Sequence, residues 1–185
     1  HCGSDSTHNK LSVEYLPELK RIKLVNEAPL KPGAYSIELK FQGTLNDKMA
    51  GFYRSTYKDK DGNDKVMGTT QFEAVDARRA FPCWDEPSFK ATFDMSLIIT
   101  DKNLTALSNM PVRKTSKFED GSIMYQYWRS PVMSTYLLAF IVGELESITG
   151  KTDGGTEFSV YTTPGKLSQA AFALDTGIKV LNFFE

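Results

Sequence analysis

Apolar and polar residues alternate along much of the chain, which is the pattern expected of strands with one buried face. Between residues 21 and 41 the alternating apolar positions are Ile22, Leu24, Tyr35, Ile37, Leu39 and Phe41. The stretch 29–33, Pro-Leu-Lys-Pro-Gly, interrupts them because its prolines and glycine disfavour a paired strand. We therefore predict half-buried strands on either side of this break.

A hairpin is indicated by the next apolar segment and the charged residues that follow it. Residues 51–57 form the first strand candidate, and the tip at 58–65 contains an Asp61-Gly62 step that favours a tight turn. The returning strand is predicted to reach Gln71.

Four further strands are predicted after the hairpin. Residues 92–100 alternate again, and Asp120-Gly121 marks a turn before a strand at 123–127. Residues 136–142 are apolar without alternation, which is typical of a strand covered on both faces, and a short buried helix is the alternative. Gly143 favours the end of a strand. After a turn at 153–155, the last strand candidate contains Phe158, Val160 and Tyr161.

The period changes after Pro164-Gly165, where apolar residues recur at helical spacing. They are Leu167, Ala170, Ala171, Leu174, Ile178 and Leu181. The spacing predicts an amphipathic helix that reaches about Phe184. Such a helix must bury its apolar face, either on the sheet or against a following domain. The predicted fold class is mainly β, an antiparallel β-sandwich-like domain followed by a helix.

Composition and charge narrow the possible functions. The net charge is −1 and the 22 Lys and Arg residues are dispersed, which argues against nucleic acid as a partner. The apolar run at 136–142 is far shorter than the roughly 20 residues that cross a bilayer, so no membrane partner is expected. Only Cys2 and Cys83 are present, which favours a reducing, cytoplasmic location, while a secreted or membrane-anchored parent protein stays open.

Residues 69–87 are unusual because aromatic residues, charges of both signs and two prolines lie in one connection between strands. On a strand, Gln71 and Glu73 would project to the same side and place a carboxylate beside an amide carbonyl, which suits a ligand ammonium group. The alternative is that Glu73 pairs on the surface with Arg78 or Arg79.

The rest of this stretch is expected to be structural. Phe81, Pro82, Cys83 and Trp84 are predicted to pack in the core and at a corner, and the acidic residues Asp76, Asp85 and Glu86 to anchor the arginines. A nucleophilic role for Cys83 would need a nearby base, but the two histidines are His1 and His8. The sequence has no H-E-x-x-H or C-x-x-C motif, so no metal ligands are predicted within it.

Five segments resemble the gluzincin zinc aminopeptidases, in particular the branch of the puromycin-sensitive and fungal alanine/arginine enzymes. The segments are residues 51–55, 69–87, 91–94, 106–110 and 131–137, in the order of that family. The resemblance implies an N-terminal β-domain at 1–156, with its first strands missing, and the beginning of a thermolysin-like catalytic domain at 157–185.

The resemblance also implies a function. In this family a loop of the β-domain reaches the active-site cleft, and Gln71 and Glu73 match the loop residues that bind the α-ammonium group of a peptide substrate. The zinc ligands and the general base are then expected beyond Glu185, in the remainder of the protein, so this chain alone would be inactive. Peptides and the catalytic domain of the same protein are the implied partners.

Two other functions remain open at this point. The chain is either part of a non-catalytic relative that serves as an interaction scaffold, whose parent would lack the zinc ligands, or a free-standing β-sandwich binding module. Gln71 and Glu73 argue against a scaffold, because a scaffold does not require an amine-binding pair. Exposed apolar surface on the final helix would count against a free-standing module.

Overall fold

The computed structural model describes residues 10–185, which fall into two compact units divided after Phe41. In the first unit, β1 (Ser12–Leu16) and β2 (Arg21–Val25) form an antiparallel hairpin joined by a 3-10 turn at Pro17–Leu19. The strand predicted around Ile22 and Leu24 is confirmed as β2.

The second predicted strand of this region is wrong. Residues 26–41 contain no strand, and the side chains of Tyr35 and Phe41 are 57% and 59% exposed. Alternation indicates which face of a segment is apolar, but a strand also requires a hydrogen-bonded neighbour. Within the part of this unit that the structure describes, β1 and β2 pair with each other and with no other strand.

The second unit contains a four-stranded antiparallel sheet in the spatial order β3-β4-β9-β6. Its strands are β3 (Gly51–Lys58), β4 (Asp64–Gln71), β9 (Phe140–Gly143) and β6 (Thr105–Ser108). The hairpin predicted between residues 51 and 71 is confirmed, with Gly51 opposite Gln71 at its base.

A three-stranded antiparallel sheet has the order β5-β8-β7, with β5 at Ser96–Ile99, β8 at Ile123–Tyr127 and β7 at Val112–Lys117. The turn predicted at Asp120-Gly121 joins β7 to β8. β5 is shorter than the predicted strand at 92–100. Before it, the Phe93 amide donates to the Ser130 hydroxyl, while the Phe93 carbonyl accepts from the Ser130 amide.

The strand predicted at 136–142 forms only in part. Thr135–Leu137 is a 3-10 turn, and β9 begins at Phe140. The side chain of Asn109 replaces a strand neighbour here: its Nδ2 donates to the Leu137 carbonyl and its Oδ1 accepts from the Ala139 amide, both at 2.8 Å. β9 itself lies between β4 and β6 and ends at Gly143, where the strand end was predicted. Its residues before Gly143 are half-buried and not fully covered.

The core of this unit is shared between the strands and the long connection after β4. Phe72, Ala77 and Leu138 form its buried centre. Half-buried residues pack around them: Ala80, Phe81, Cys83, Phe93, Met95, Met133, Tyr136 and Phe140. The mainly β, antiparallel, sandwich-like fold class is confirmed.

The last elements are a hairpin and the predicted helix. β10 (Glu146–Lys151) pairs with β11 (Glu157–Thr162), and α1 (Ala170–Phe184) follows a 3-10 turn at Leu167–Gln169. α1 packs on both strands, and its Leu174 and Ile178 cover the backbone of β10 at Gly150. The domain boundary predicted near Thr156 falls in the turn of this hairpin and stays a prediction.

Candidate functional site

The connection that follows β4 is anchored in the core at its first residue. Phe72 is 2% exposed and packs against the rings of Phe81 and Phe140, with centroid distances of 5.9 and 6.1 Å. Below it, Gly51 has a φ of +73°, and a Cβ added there would lie 2.6 Å from the Cβ of Arg79. Residue 51 therefore has to be a glycine, because any side chain there would clash with Arg79 and strain the backbone.

Gln71 and Glu73 lie on either side of Phe72, and both are exposed. Their alternation with the buried ring follows the strand pattern, although β4 ends at Gln71 and Glu73 begins a turn, not a strand position as predicted. The Asp76 amide closes this turn by donating to the Phe72 carbonyl at 2.9 Å. The peptide bond between Glu73 and Ala74 is cis.

The two arginines of the connection are paired with other residues, so the predicted alternative of a Glu73 ion pair is wrong. Arg78 contacts Asp85 at 3.1 Å and Glu86 at 3.8 Å, and Arg79 is paired with Asp76. These are the acidic anchors that the sequence predicts. Within residues 10–185, neither Glu73 nor Gln71 forms a side-chain hydrogen bond or ion pair.

Asp85 is a buried carboxylate that accepts hydrogen bonds from several donors. Its residue is 4% exposed, its Oδ2 accepts from Arg78 N at 3.0 Å and Nε at 3.1 Å, and its Oδ1 accepts from Thr135 Oγ1 at 2.7 Å. Burial raises the pKa of this carboxyl, but the hydrogen bonds from Thr135 and Arg78 outweigh it and hold the pKa below its ordinary value. Asp85 is therefore charged at neutral pH.

The segment before Asp85 is only partly packed as predicted. Phe81 and Cys83 are half-buried in the core, but Pro82 is exposed and Trp84 is 70% exposed. Burial alternates along these residues, as it does in extended backbone. Because Cys83 and Asp85 take the inner positions, Trp84 is directed outward.

Cys83 does not have the environment of a nucleophile. Burial raises the pKa of its thiol to about 11, so the reactive thiolate is scarce at neutral pH. His1 and His8 lie outside the described residues. Cys2 also lies outside them, and Cys83 is a free thiol.

Sequence reasoning did not find the residues that join this connection to the segment before β9. Thr135 binds Asp85, and the Ser134 hydroxyl donates to the Pro87 carbonyl at 2.6 Å. Both are 4% exposed. They lie about 50 positions from their partners, and the one available signal was that residues 131–137 are among the segments that carry the family resemblance.

Among the described residues, this arrangement presents a carboxylate without an ion-pair partner and a side-chain amide without a hydrogen-bond partner. Such a pair can accept hydrogen bonds from a ligand cation, and an ammonium group offers three donors. Across residues 10–185, no group of three or more His, Cys, Asp or Glu side chains could hold a metal ion. In the same residues, no helix has the length and apolar character that a membrane span requires.

The sequence that forms this connection and most of the fold matches one known class of domain. A family model described as the Peptidase M1 N-terminal domain matches residues 3–137. Since this match covers most of the chain, the chain belongs to the family of peptidase M1 N-terminal domains.

The individual relatives are aminopeptidases by name. The chain is 45% identical to the puromycin-sensitive aminopeptidase of Caenorhabditis elegans over 94% of its own length and 18% of that protein. It is 48% identical to aminopeptidase M1-D of Oryza sativa subsp. japonica over 95% and 20%. It is 39% identical to endoplasmic reticulum aminopeptidase 1 of Homo sapiens over 99% and 19%. The chain thus spans about a fifth of the length of the curated relatives it matches.

Proposed function

We propose that this chain is the N-terminal region of a zinc-dependent aminopeptidase and that Gln71 and Glu73 bind the α-ammonium group of a peptide substrate. The observation that carries the proposal is the exposed carboxylate of Glu73, which stays unneutralised among the described residues although two arginines lie within six positions of it. The family membership and the aminopeptidase names of the relatives support the same reading.

The proposed role is recognition of the amine, not cleavage of the bond. The Glu73 carboxylate accepts hydrogen bonds from the ammonium group, and the Gln71 carbonyl accepts another. Together they hold the free N-terminus at a fixed distance from the catalytic centre of the proposed enzyme, so that the first peptide bond lies there, which selects removal of single N-terminal residues. A substrate without a free amine leaves the carboxylate unpaired and binds more weakly.

The zinc ion and the general base belong to other parts of the proposed enzyme. The described residues do not provide a ligand group for a metal, so no step of the proposal depends on a metal held by this chain. The expected ligands lie beyond Glu185, and the chain alone is expected to cleave no peptide. The region from residue 157 onward is proposed to begin the catalytic domain, which is the partner of the β-domain.

The test uses the full-length protein and the variant Glu73→Ala. We expect kcat/KM for its best aminoacyl anilide substrate to fall about 10- to 100-fold, since a hydrogen bond to a charged group contributes about 1.5–3 kcal/mol. Bound zinc, measured by elemental analysis, should be unchanged. Glu119→Ala is the matched control, because Glu119 is an exposed carboxylate in the turn between β7 and β8.

An unchanged kcat/KM in Glu73→Ala would remove Glu73 from the site. The scaffold alternative is tested by the wild-type protein itself, because a scaffold would bind no zinc stoichiometrically and cleave no aminoacyl substrate. The cytoplasmic location predicted from the two cysteines is tested by fractionating cells that express the full-length protein. Recovery in the endoplasmic reticulum, the compartment in the name of one relative, would contradict it.

A further inference from the structure

Asp85 has a property that the proposed recognition of the amine does not use. Among the residues that the structure describes, it is the charged residue that is buried, with 1% of its side chain exposed. A buried carboxylate is costly unless donors surround it, and Asp85 has three of them on its two oxygens. Two of the three come from Arg78, and one of those is a backbone amide.

The backbone amide links Asp85 to the turn that carries Glu73. Arg78 lies in a 3-10 turn at Ala77–Arg79, and the preceding Ala77 is fully buried beside Phe72. The residues from 73 to 76 therefore form a closed loop whose two ends, Phe72 and Ala77, are both in the core. Asp85 binds the amide of Arg78, the residue that follows Ala77.

The other side of Asp85 is fixed to a distant segment. Thr135 donates to Oδ1 at 2.7 Å, and the guanidinium of Arg78 reaches back to the Asp85 carbonyl at 2.6 Å. The second end of the Glu73 loop is thus attached, through one carboxylate, to the 3-10 turn at Thr135–Leu137 that precedes β9. Movement of Asp85 would loosen the loop at its second end, where the packing of Ala77 would remain, while Phe72 kept the first end in place.

We propose that Asp85 is a positioning residue that sets where Glu73 meets the substrate amine, by holding the backbone of Arg78 against the segment around Thr135. This inference rests on the proposed function of Gln71 and Glu73. A carboxylate that accepts an ammonium group must be placed within a few tenths of an ångström, so a loosened loop weakens amine recognition before it affects groups elsewhere in the cleft.

The test compares two inhibitors of the full-length enzyme that differ in one group. The first is the hydroxamate of the preferred amino acid, and the second is the same hydroxamate without the α-amino group. In Asp85→Asn we expect the first inhibitor to bind about tenfold more weakly and the second to bind within about twofold of the wild type. Thr135→Val removes one donor at similar volume and should shift binding in the same direction by less.

Two reference variants make the outcomes distinguishable. Glu73→Ala shows the loss expected when the amine contact is removed, and Asp94→Asn is a control because Asp94 pairs with Arg129 away from this loop, at 63% side-chain exposure. Equal weakening of both inhibitors in Asp85→Asn, or no change in either, would overturn the positioning role. A Glu73→Ala variant that still discriminates the two inhibitors like the wild type would instead overturn the proposed function.

A folding defect in Asp85→Asn does not leave the inference untested. Thr135→Val keeps the carboxylate and its contacts to Arg78, so it is the milder change. If Asp85→Asn does not fold, the ratio of the two inhibitors' dissociation constants in Thr135→Val decides whether Asp85 positions Glu73. A ratio equal to the wild-type value in a folded Thr135→Val variant would contradict the link between the two segments. The amount of folded protein is measured by titrating bound zinc.

Discussion

Two aspartate–arginine pairs of the second unit, Asp94 with Arg129 and Asp85 with Arg78, differ in their surroundings. Asp94 and Arg129 form a bidentate pair with distances of 2.7 and 3.0 Å, yet their side chains are 63% and 66% exposed. Asp85 and Arg78 meet through one carboxylate oxygen, with side chains 1% and 23% exposed. The exposed pair has the better bidentate geometry, whereas the buried pair is better shielded from water.

The comparison indicates that accessibility to water, more than the shape of the contact, decides what each pair contributes. Water and salt replace the interaction of an exposed pair when one partner is removed. In the buried pair, removing the carboxylate leaves the Arg78 amide and the Thr135 hydroxyl without acceptors. Three experiments can break or sharpen this difference, and a fourth tests how tightly the same connection is packed at Gly51.

The largest effect is expected for Asp85→Ala. Loss of a buried acceptor for three donors should lower local stability by about 3 kcal/mol. Hydrogen exchange of peptides from residues 72–87 of the full-length protein should then be at least a hundredfold faster, while peptides from α1 keep their rates. Retained protection at residues 72–87 would contradict the importance of burial.

Gly51→Ala should give the next largest effect, of about 2 kcal/mol. The new methyl group meets the Cβ of Arg79 at 2.6 Å, and the existing φ of +73° becomes unfavourable once the residue has a Cβ. Gly62→Ala, at the tip of the β3–β4 hairpin, is the control because it has a similar φ of +82° and nothing within 4 Å of the added Cβ. Equal melting temperatures for the two variants would show that the contact with Arg79 costs nothing.

A smaller effect is expected when the pH is lowered. The pKa of Asp85 in the folded protein lies below the ordinary value of 3.8, so its charge stabilises the fold fully at higher pH. This contribution is lost as the pH falls through the lowered pKa. The stability difference between the wild type and Asp85→Asn, from denaturant unfolding, should therefore shrink below about pH 4. A stability difference that does not depend on pH would contradict a charged Asp85 in the folded protein.

The smallest effect is expected for Asp94→Ala. Its pair with Arg129 is exposed on both sides, so we expect no measurable change in the melting temperature at 0.15 M salt. At low salt a small loss is expected, since the pKa of Asp94 is held below its ordinary value by the Arg129 guanidinium. A loss as large as that of Asp85→Ala would reverse the comparison.

The sequence was a good guide where the structure depends on neighbours in the chain. The hairpin at 51–71 and the strands around Asp120-Gly121 follow from alternation and turn dipeptides, both of which act over a few residues. The strand predicted through Tyr35 and Phe41 fails because alternation does not supply a pairing partner. The strand predicted over residues 136–139 is absent for a related reason. The Asn109 side chain forms hydrogen bonds with the Leu137 carbonyl and the Ala139 amide, which a strand would have paired with a neighbouring strand.

The candidate site was predictable in part. The spacing of Gln71 and Glu73 and the family resemblance make these two residues the candidates, which stays a prediction. The acidic partners of both arginines were expected and are confirmed. The contact between Asp85 and Thr135 was not, because no pattern in a single sequence links residues 50 positions apart. The outward position of Trp84 was not predicted, because an aromatic ring is expected to be buried more often than a carboxylate. In the structure the neighbouring Asp85 carboxylate is buried and Trp84 is exposed.

The pairing of Gly51 with Gln71 limits how this domain can change in evolution. Adding one residue inside β4 would turn Phe72 toward water and Gln71 toward the interior, since neighbouring strand residues face opposite sides. Insertions and deletions can be absorbed at the exposed tip between Lys58 and Asp64, but not between that tip and Phe72. Relatives with the same site should therefore vary in length at the far end of this hairpin and keep its near end constant.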